Sequence, residues 1–176
     1  MKKTIWFTAD WHLFHENIIK YTNRPFKNRY HMNKVIIDKY CNCVKDDDEV
    51  YFLGDLTMLG GPQIDVIKPL IEPLPGHKHI ILGNHDRFRP FSYHEIGFES
   101  VHTALKLDFY KKSLYLAHDP AWAQIPNTVW ICGHIHGLFK HMKSENSTTI
   151  INCGIDVWDF NPVPLNKVKE IVKSYE

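Results

Sequence analysis

The chain has 176 residues, 44% hydrophobic and 13% aromatic, with 21 basic and 20 acidic side chains and a net charge of +1. That is enough chain for one good core and too little for two comfortable ones, so residues 1–176 are expected to form a single domain. The balanced charge speaks against a track for duplex nucleic acid, and no stretch approaches the roughly 20 apolar residues of a membrane span.

Met1-Lys2-Lys3-Thr4 has the charge of a signal-peptide start, but Asp10 cuts the apolar run Ile5-Trp6-Phe7 short, so a cytoplasmic protein is expected. A strand over Thr4 to Thr8 ends at Asp10. Met32 to Val44 carries Val35, Ile36, Ile37, Tyr40, Cys41 and Val44 at helical spacing. A second strand, Val50 to Leu53, ends at Gly54-Asp55. Pro62 to Lys68 suits a short helix whose exit is marked by Pro69, Pro73, Pro75 and Gly76. The third strand, Ile80-Ile81-Leu82, runs into Gly83-Asn84-His85-Asp86. Three apolar strands with helical crossovers make a parallel sheet whose carboxyl edge collects polar residues.

Beyond Asp86 the pattern changes. Arg87 to Phe98 reads as a polar and aromatic loop. Strands are expected around Val101 to Phe109, Ser113 to Ala117, Val129 to Cys132 and Thr148 to Asn152, with a hairpin turn at Lys111-Lys112. Leu165, Val168, Ile171, Val172 and Tyr175 form one face of a closing helix. The fold class expected is α/β, with two packed mixed β-sheets flanked by helices. Cys41, Cys43, Cys132 and Cys153 lack paired metal-site spacing and read as reduced core thiols.

Twelve histidines are an excess for such a chain, and several sit in short spaced pairs that point to metal or catalysis. Asp10 and His12 alternate at a strand end, which would point both to one side, and His134 and His136 repeat the device. Any one of these histidines alone reads equally well as structural. Five strand-end stretches together do not. Asp55 can present one oxygen to each of two cations. Asp10, His12, Asp55, Asn84, His118, His134 and His136 supply nitrogen and oxygen donors for two ions, with no thiolate, a set that favours Mn, Fe, Zn, Co or Ni over Mg.

With these residues in this order the chain resembles the calcineurin-like metallophosphoesterases, through Asp10-x-His12, Gly54-Asp55, Gly83-Asn84-His85-Asp86, His118 and Gly133-His134-x-His136. The resemblance covers nearly the whole chain. It implies the fold of two packed mixed sheets, a four-layer sandwich. One ion would be held by Asp10, His12, Asp55 and His136, the other by Asp55, Asn84, His118 and His134. His85 with Asp86 would form the catalytic dyad. Within the family the chain looks most like a small bacterial and phage branch that shares stretches similar to His12-Leu13-Phe14-His15-Glu16-Asn17-Ile18-Ile19, Asn23-Arg24-Pro25-Phe26 and Gly154-x-Asp156-x-Trp158. Gly54-Asp55 is followed by Leu56-Thr57-Met58-Leu59-Gly60, without the arginine that protein serine/threonine phosphatases of this superfamily carry there.

Two divalent ions can lower the pKa of a bridging water and clamp a phosphate, while a protonated His85 donates to the leaving oxygen. The expectation is a dinuclear phosphoesterase acting on a small phosphate ester, a nucleotide-type diester in first place. The alternatives are a small-molecule phosphomonoesterase and a non-catalytic interaction module on the same fold. Arg24 and Arg87 are candidates for a forked phosphate contact, and His15 for a further site residue. Asp156 and Asp159 could orient a ligand histidine, with solvated loop carboxylates as the default. Phe88, Phe91, Tyr93 and Phe98 could stack a base or simply form a hydrophobic cluster.

Overall fold

The computed structural model describes residues 3–109 and 112–176. Met1-Lys2, at the charged start, and Lys111, in the expected hairpin turn, lie outside them.

In the first half, β1 (Ile5–Thr8) leads through a short helix α1 (Ile18–Tyr21) to α2 (Arg29–Cys43). Asn28 caps α2, its side chain accepting from the His31 N–H at 2.9 Å. Then come β2 (Glu49–Phe52), α3 (Ile64–Ile71), β3 (His77–Ile81), α4 (Pro90–Glu95) and β4 (Phe98–His102). The second half contains β5 (Ala104–Phe109), β6 (Lys112–Ala117), β7 (Val129–Cys132), β8 (His141–Lys143), β9 (Thr149–Asn152), β10 (Val163–Pro164) and α5 (Leu165–Ser174).

These strands form two mixed five-stranded sheets, in the orders β10-β1-β2-β3-β4 and β5-β6-β7-β9-β8. Alternation along the strands decides what each face covers. Val50, Phe52, Ile80 and Phe98 pack outward against Met32, Ile36 and Tyr40 of α2, Ile67 and Ile71 of α3 and Tyr93 of α4. Phe7, Leu53 and Ile81 pack inward against Leu114, Leu116, Val129, Ile131 and Ile151 of the other sheet, with Val168, Ile171 and Val172 of α5 closing the layer. Each such burial is worth roughly 1.5–3 kcal/mol, so the match of periodicity to layer holds the sheets face to face.

The register sets the site. β1, β2 and β3 run parallel with Thr8 opposite Phe52 and Phe52 opposite Ile80, so their carboxyl ends are level. β6, β7 and β9 are also parallel, with Leu116 opposite Ile131 and Cys132 opposite Asn152. A bridge between Ala9 and Gly154 joins the two edges, and Ile155 N–H donates to Ala9 O at 3.2 Å. Six strand ends therefore open onto one place.

Several elements differ from the sequence reading. The expected loop at 87–98 contains α4, which begins on Pro90 and buries Tyr93; six residues are too few for a helical period to be read. The single strand expected over 101–109 is two. It bends at Thr103, so that Val101 and His102 pair with β3 in the first sheet while Leu105 and Leu107 pair with β6 in the second. No glycine or proline marks that bend. Pro69 lies inside α3 and does not end it. The thiols divide: Cys132 and Cys153 are buried core groups, whereas Cys41 is exposed on α2.

Candidate metal centre and cleft

Every donor expected from the sequence arrives at the shared edge. The expected strand alternation does not deliver them, because β1 stops at Thr8 and β7 at Cys132. Asp10, His12, Asp55, His134 and His136 instead occupy left-handed backbone, with φ of 60°, 50°, 55°, 72° and 45°. Non-glycine residues rarely adopt it, and it persists only where the surroundings over-determine it. Tight approach of the loops is part of that. A Cβ at Gly54, itself at φ +85°, would fall 2.5 Å from His118 Nδ1 and 2.6 Å from Gly83 N, so these two loops meet only as glycines.

Asp10, His12 and His136 offer ligand atoms within 4.8 Å of one another, and so do Asp10, Asp55 and His118. Asp10 belongs to both groups, and Asp55 Oδ2 stands 3.4 Å from His12 Nε2 and 3.5 Å from His118 Nε2, between one imidazole of each. Asn84 Oδ1 gathers the remaining imidazoles, lying 3.1 Å from His118 Nε2 and 2.9 Å from His134 Nδ1. His118 Nδ1 donates to Leu53 O at 2.7 Å, which turns Nε2 toward Asp55 and Asn84.

The electrostatics fit a cation. Burial pulls the His12 imidazole down to about 3 against the opposing effect of Asp55, and both of its ring nitrogens are buried without a hydrogen-bond partner. A neutral imidazole with two orphaned nitrogens is ligand-ready. Burial pushes Asp10 up to about 6, with His118 and His136 opposing. Burial would raise Asp55 as well, but His118 and the His85 N–H hold it at about 2. Burial works against charge on His118, yet Asp55 and Asp10 push it up to about 9. The carboxylates thus draw positive charge into the centre, and the nitrogen and oxygen donors suit divalent transition metals.

His85 hangs from Asp55, whose Oδ1 accepts its backbone N–H at 2.9 Å. Its ring centroid is 5.4 Å from that of His12. The expected contact between His85 and Asp86 is not made. The Asp86 carboxylate turns under the loop and accepts from the backbone N–H groups of Asp55 at 2.8 Å, Leu56 at 3.1 Å and Gly83 at 2.8 Å, while His85 Nδ1 has no partner. Three converging amides, two from the left-handed Gly54-Asp55 turn and one from Gly83, are a stronger claim on that carboxylate than one imidazole.

His12, His15, His85 and His136 line a cleft of about 510 Å³ whose wall continues through Ile18, Tyr21, Thr22, Asn23 and Gly137. His15, a candidate from the sequence, stands with its ring centroid 5.5 Å from that of His12. Arg24 is buried, and its fork faces the interior, donating to Asp156, Asp10 O and Trp11 O. Arg87 is exposed and its backbone bridges to Gly60. The aromatic wall expected from residues 88–98 is mostly core: Phe88, Tyr93 and Phe98 are buried and only Phe91 is exposed. Asp156 is not a solvated loop carboxylate, since it accepts from His136 Nδ1 at 2.9 Å; Asp159 pairs with Lys39. One residue was missed. Asn152, fully buried, donates to His136 O at 2.7 Å and Phe139 O at 2.9 Å and so holds the loop that carries His134 and His136. Its signal was an amide directly after Ile150-Ile151 at the end of a strand.

A model of the calcineurin-like phosphoesterase family matches residues 3–164. An uncharacterized protein of Methanocaldococcus jannaschii is 33% identical over 98% of this chain and 93% of its own length. The gene 66 protein of Mycobacterium phage D29 is 26% identical over 98% of this chain and 97% of its own. Among solved structures, a protein of unknown function from Aquifex aeolicus superposes with a TM-score of 0.76 at 22% identity, covering 97% of this chain and all of that one.

Proposed function

The chain belongs to the calcineurin-like phosphoesterase family, and from that membership we propose a dinuclear hydrolysis of a small nucleotide-type phosphodiester as its reaction. The family makes it a metal-dependent hydrolase of phosphate esters. The observation that carries the finer reading is the donor set itself: seven converging side chains, with Asp55 Oδ2 between His12 and His118 and both nitrogens of buried His12 left without a partner.

In this reading Asp10, His12, Asp55 and His136 hold one ion, and Asp55, Asn84, His118 and His134 the other. Divalent ions held there supply Lewis-acid charge for the phosphoryl oxygens and a nucleophile at neutral pH. His85 is the general acid. Its ring lines the cleft and its backbone is tied to Asp55, and with Nδ1 buried the other ring nitrogen, Nε2, is the one that would give a proton to the leaving oxygen. Asp86 acts through the backbone, by fixing the loop that presents Asn84 and His85.

The preference for a diester rests on charge. Among the described residues lining the cleft there is no arginine or lysine, and the Arg24 fork is used in the interior. A dianionic monoester would want such fixed positive groups, whereas a monoanionic diester leans on the ions alone. A panel of phosphate mono- and diesters, run on manganese-loaded wild type and His85→Ala, tests this. Diesters are expected to turn over with the higher kcat/KM. His85→Ala should lose about 10²–10⁴-fold on poor leaving groups and less on nitrophenolate, which needs little protonation. Monoesters far ahead of every diester would replace the reading with a small-molecule phosphatase, and equal losses on good and poor leaving groups would remove the general-acid role.

A further inference from the structure

Two stretches outside the ligand motifs, Asn23-Arg24-Pro25-Phe26 and Gly154-Ile155-Asp156-Val157-Trp158, meet directly behind the centre. Arg24 Nε donates to Asp156 Oδ1 at 2.7 Å and Nη2 to Oδ2 at 2.9 Å, a two-pronged pair between residues 132 apart in sequence. The guanidinium does more than pair. Nη2 also donates to Asp10 O at 2.7 Å and Nη1 to Trp11 O at 3.0 Å, so one planar group grips the left-handed turn that carries Asp10 and His12. Asp156 Oδ2 in turn accepts from His136 Nδ1 at 2.9 Å. That contact fixes the ring so that Nε2 is the nitrogen left for a ligand. The Arg24 side chain has no exposed surface and that of Asp156 only 6%.

We infer that the Arg24–Asp156 pair is a positioning clamp for the ion site built from Asp10, His12 and His136, and not for the site built from Asn84, His118 and His134. The inference rests on the metal-dependent reading above. A buried ion pair is on its own weak evidence for stability, because desolvation offsets most of its attraction. What gives this pair a purpose is where its remaining bonds go. They end on the backbone of two ligand-bearing residues' turn and on the ring of a third ligand. Asp10 also stands with Asp55 and His118, but the other members of that side are held by different partners: His118 by Leu53 O, and the Asp55 and Gly83 backbone by Asp86. The fork matters as well as the charge, since only a planar guanidinium serves a carboxylate and two carbonyls together.

The test is a calorimetric titration of the chelator-stripped, full-length protein with Mn²⁺, for wild type, Asp156→Asn and Arg24→Lys, with a thermal melt of each stripped protein. Arg24→Lys keeps the buried positive charge and so guards against a variant that fails to fold. In both variants one of two binding steps should weaken by about 10–100-fold while the other stays within about twofold. Unchanged binding in both variants would overturn the clamp and leave the metal-dependent reading standing. Equal weakening of both steps, together with a lowered melting temperature, would also overturn it, showing a general structural role. A folded wild type that takes up no Mn²⁺ would overturn both readings at once.

Discussion

Asp156 and Asp86 both stand just behind the candidate donors, and their environments have opposite signs. Burial would raise Asp156, but His136 and Arg24 hold it at about 2; burial lifts Asp86 to about 6, with only the N–H groups of Gly83, Asp55 and Leu56 to oppose it. The first carboxylate is part of a charged clamp reaching across the chain. The second is a lone acceptor that ties its own loop to the Gly54-Asp55 turn. Both serve the same end, holding the left-handed backbone of the candidate donors in place, so the strain there is met in one case by a cation's donors and in the other by a carboxylate's lone pairs.

If that contrast is right, the two supports should fail differently. Arg24→Met leaves Asp156 buried without its cation and is expected to cost about 3–5 kcal/mol in urea unfolding, whereas Arg24→Met combined with Asp156→Leu, which removes both charges, should cost less than the single change. A double variant weaker than the single would contradict the view that charge compensation governs this half. Asp86 has no cation whose removal could relieve it. Asp86→Ala orphans three amides and should cost about 3 kcal/mol, seen as a lower urea midpoint at unchanged slope. A loss near zero would mean that water replaces the carboxylate.

The smallest effect is in pH, measured on the metal-free protein. The folded pKa of Asp86 lies above its ordinary 3.8, so the stability tied to its proton is present below about 4 and lost as pH rises through about 6. Asp156 lies below 3.8, so its contribution is present above about 4 and lost as pH falls toward 2. Asp10 titrates in the same window as Asp86, and His12, held at about 3, runs against it by losing stability as pH falls from 6.5. Differences between wild-type and variant melts separate them. Asp86→Asn should change the slope between about pH 4 and 6, and Asp156→Asn the slope between about 2 and 4. Identical slope changes in both variants would erase the contrast.

The donors were legible in the sequence because apolar strands of parallel type run into Gly54-Asp55, Gly83-Asn84-His85 and Gly133-His134, and parallel register brings such ends to one edge. What supports them was not. Asp and His tolerate left-handed φ better than most residues, but that weak propensity does not say which of them adopt it; at Asp10 and His136 it is held by contacts from Arg24 and Asn152. For the same reason Asp86 read as the partner of its neighbour His85, although its lone pairs are taken by Asp55 and Leu56, about 30 residues away in sequence. Arg24 read as a candidate phosphate contact because nothing near it announces Asp156, which takes its fork. Thr103 bends between two sheets with no residue type to mark it.

All of these supports have meaning only if the donors hold ions, with Asp55 serving both positions. Elemental analysis of the desalted protein after growth with Mn, Fe, Zn, Co or Ni tests this directly, with Asp55→Ala alongside. The account predicts about two ions per wild-type chain and a loss at both positions in Asp55→Ala, since a carboxylate that bridges two cations is lost to both at once. A folded wild type that retains no metal under any of these supplements, or an Asp55→Ala protein that still holds two ions, would contradict it.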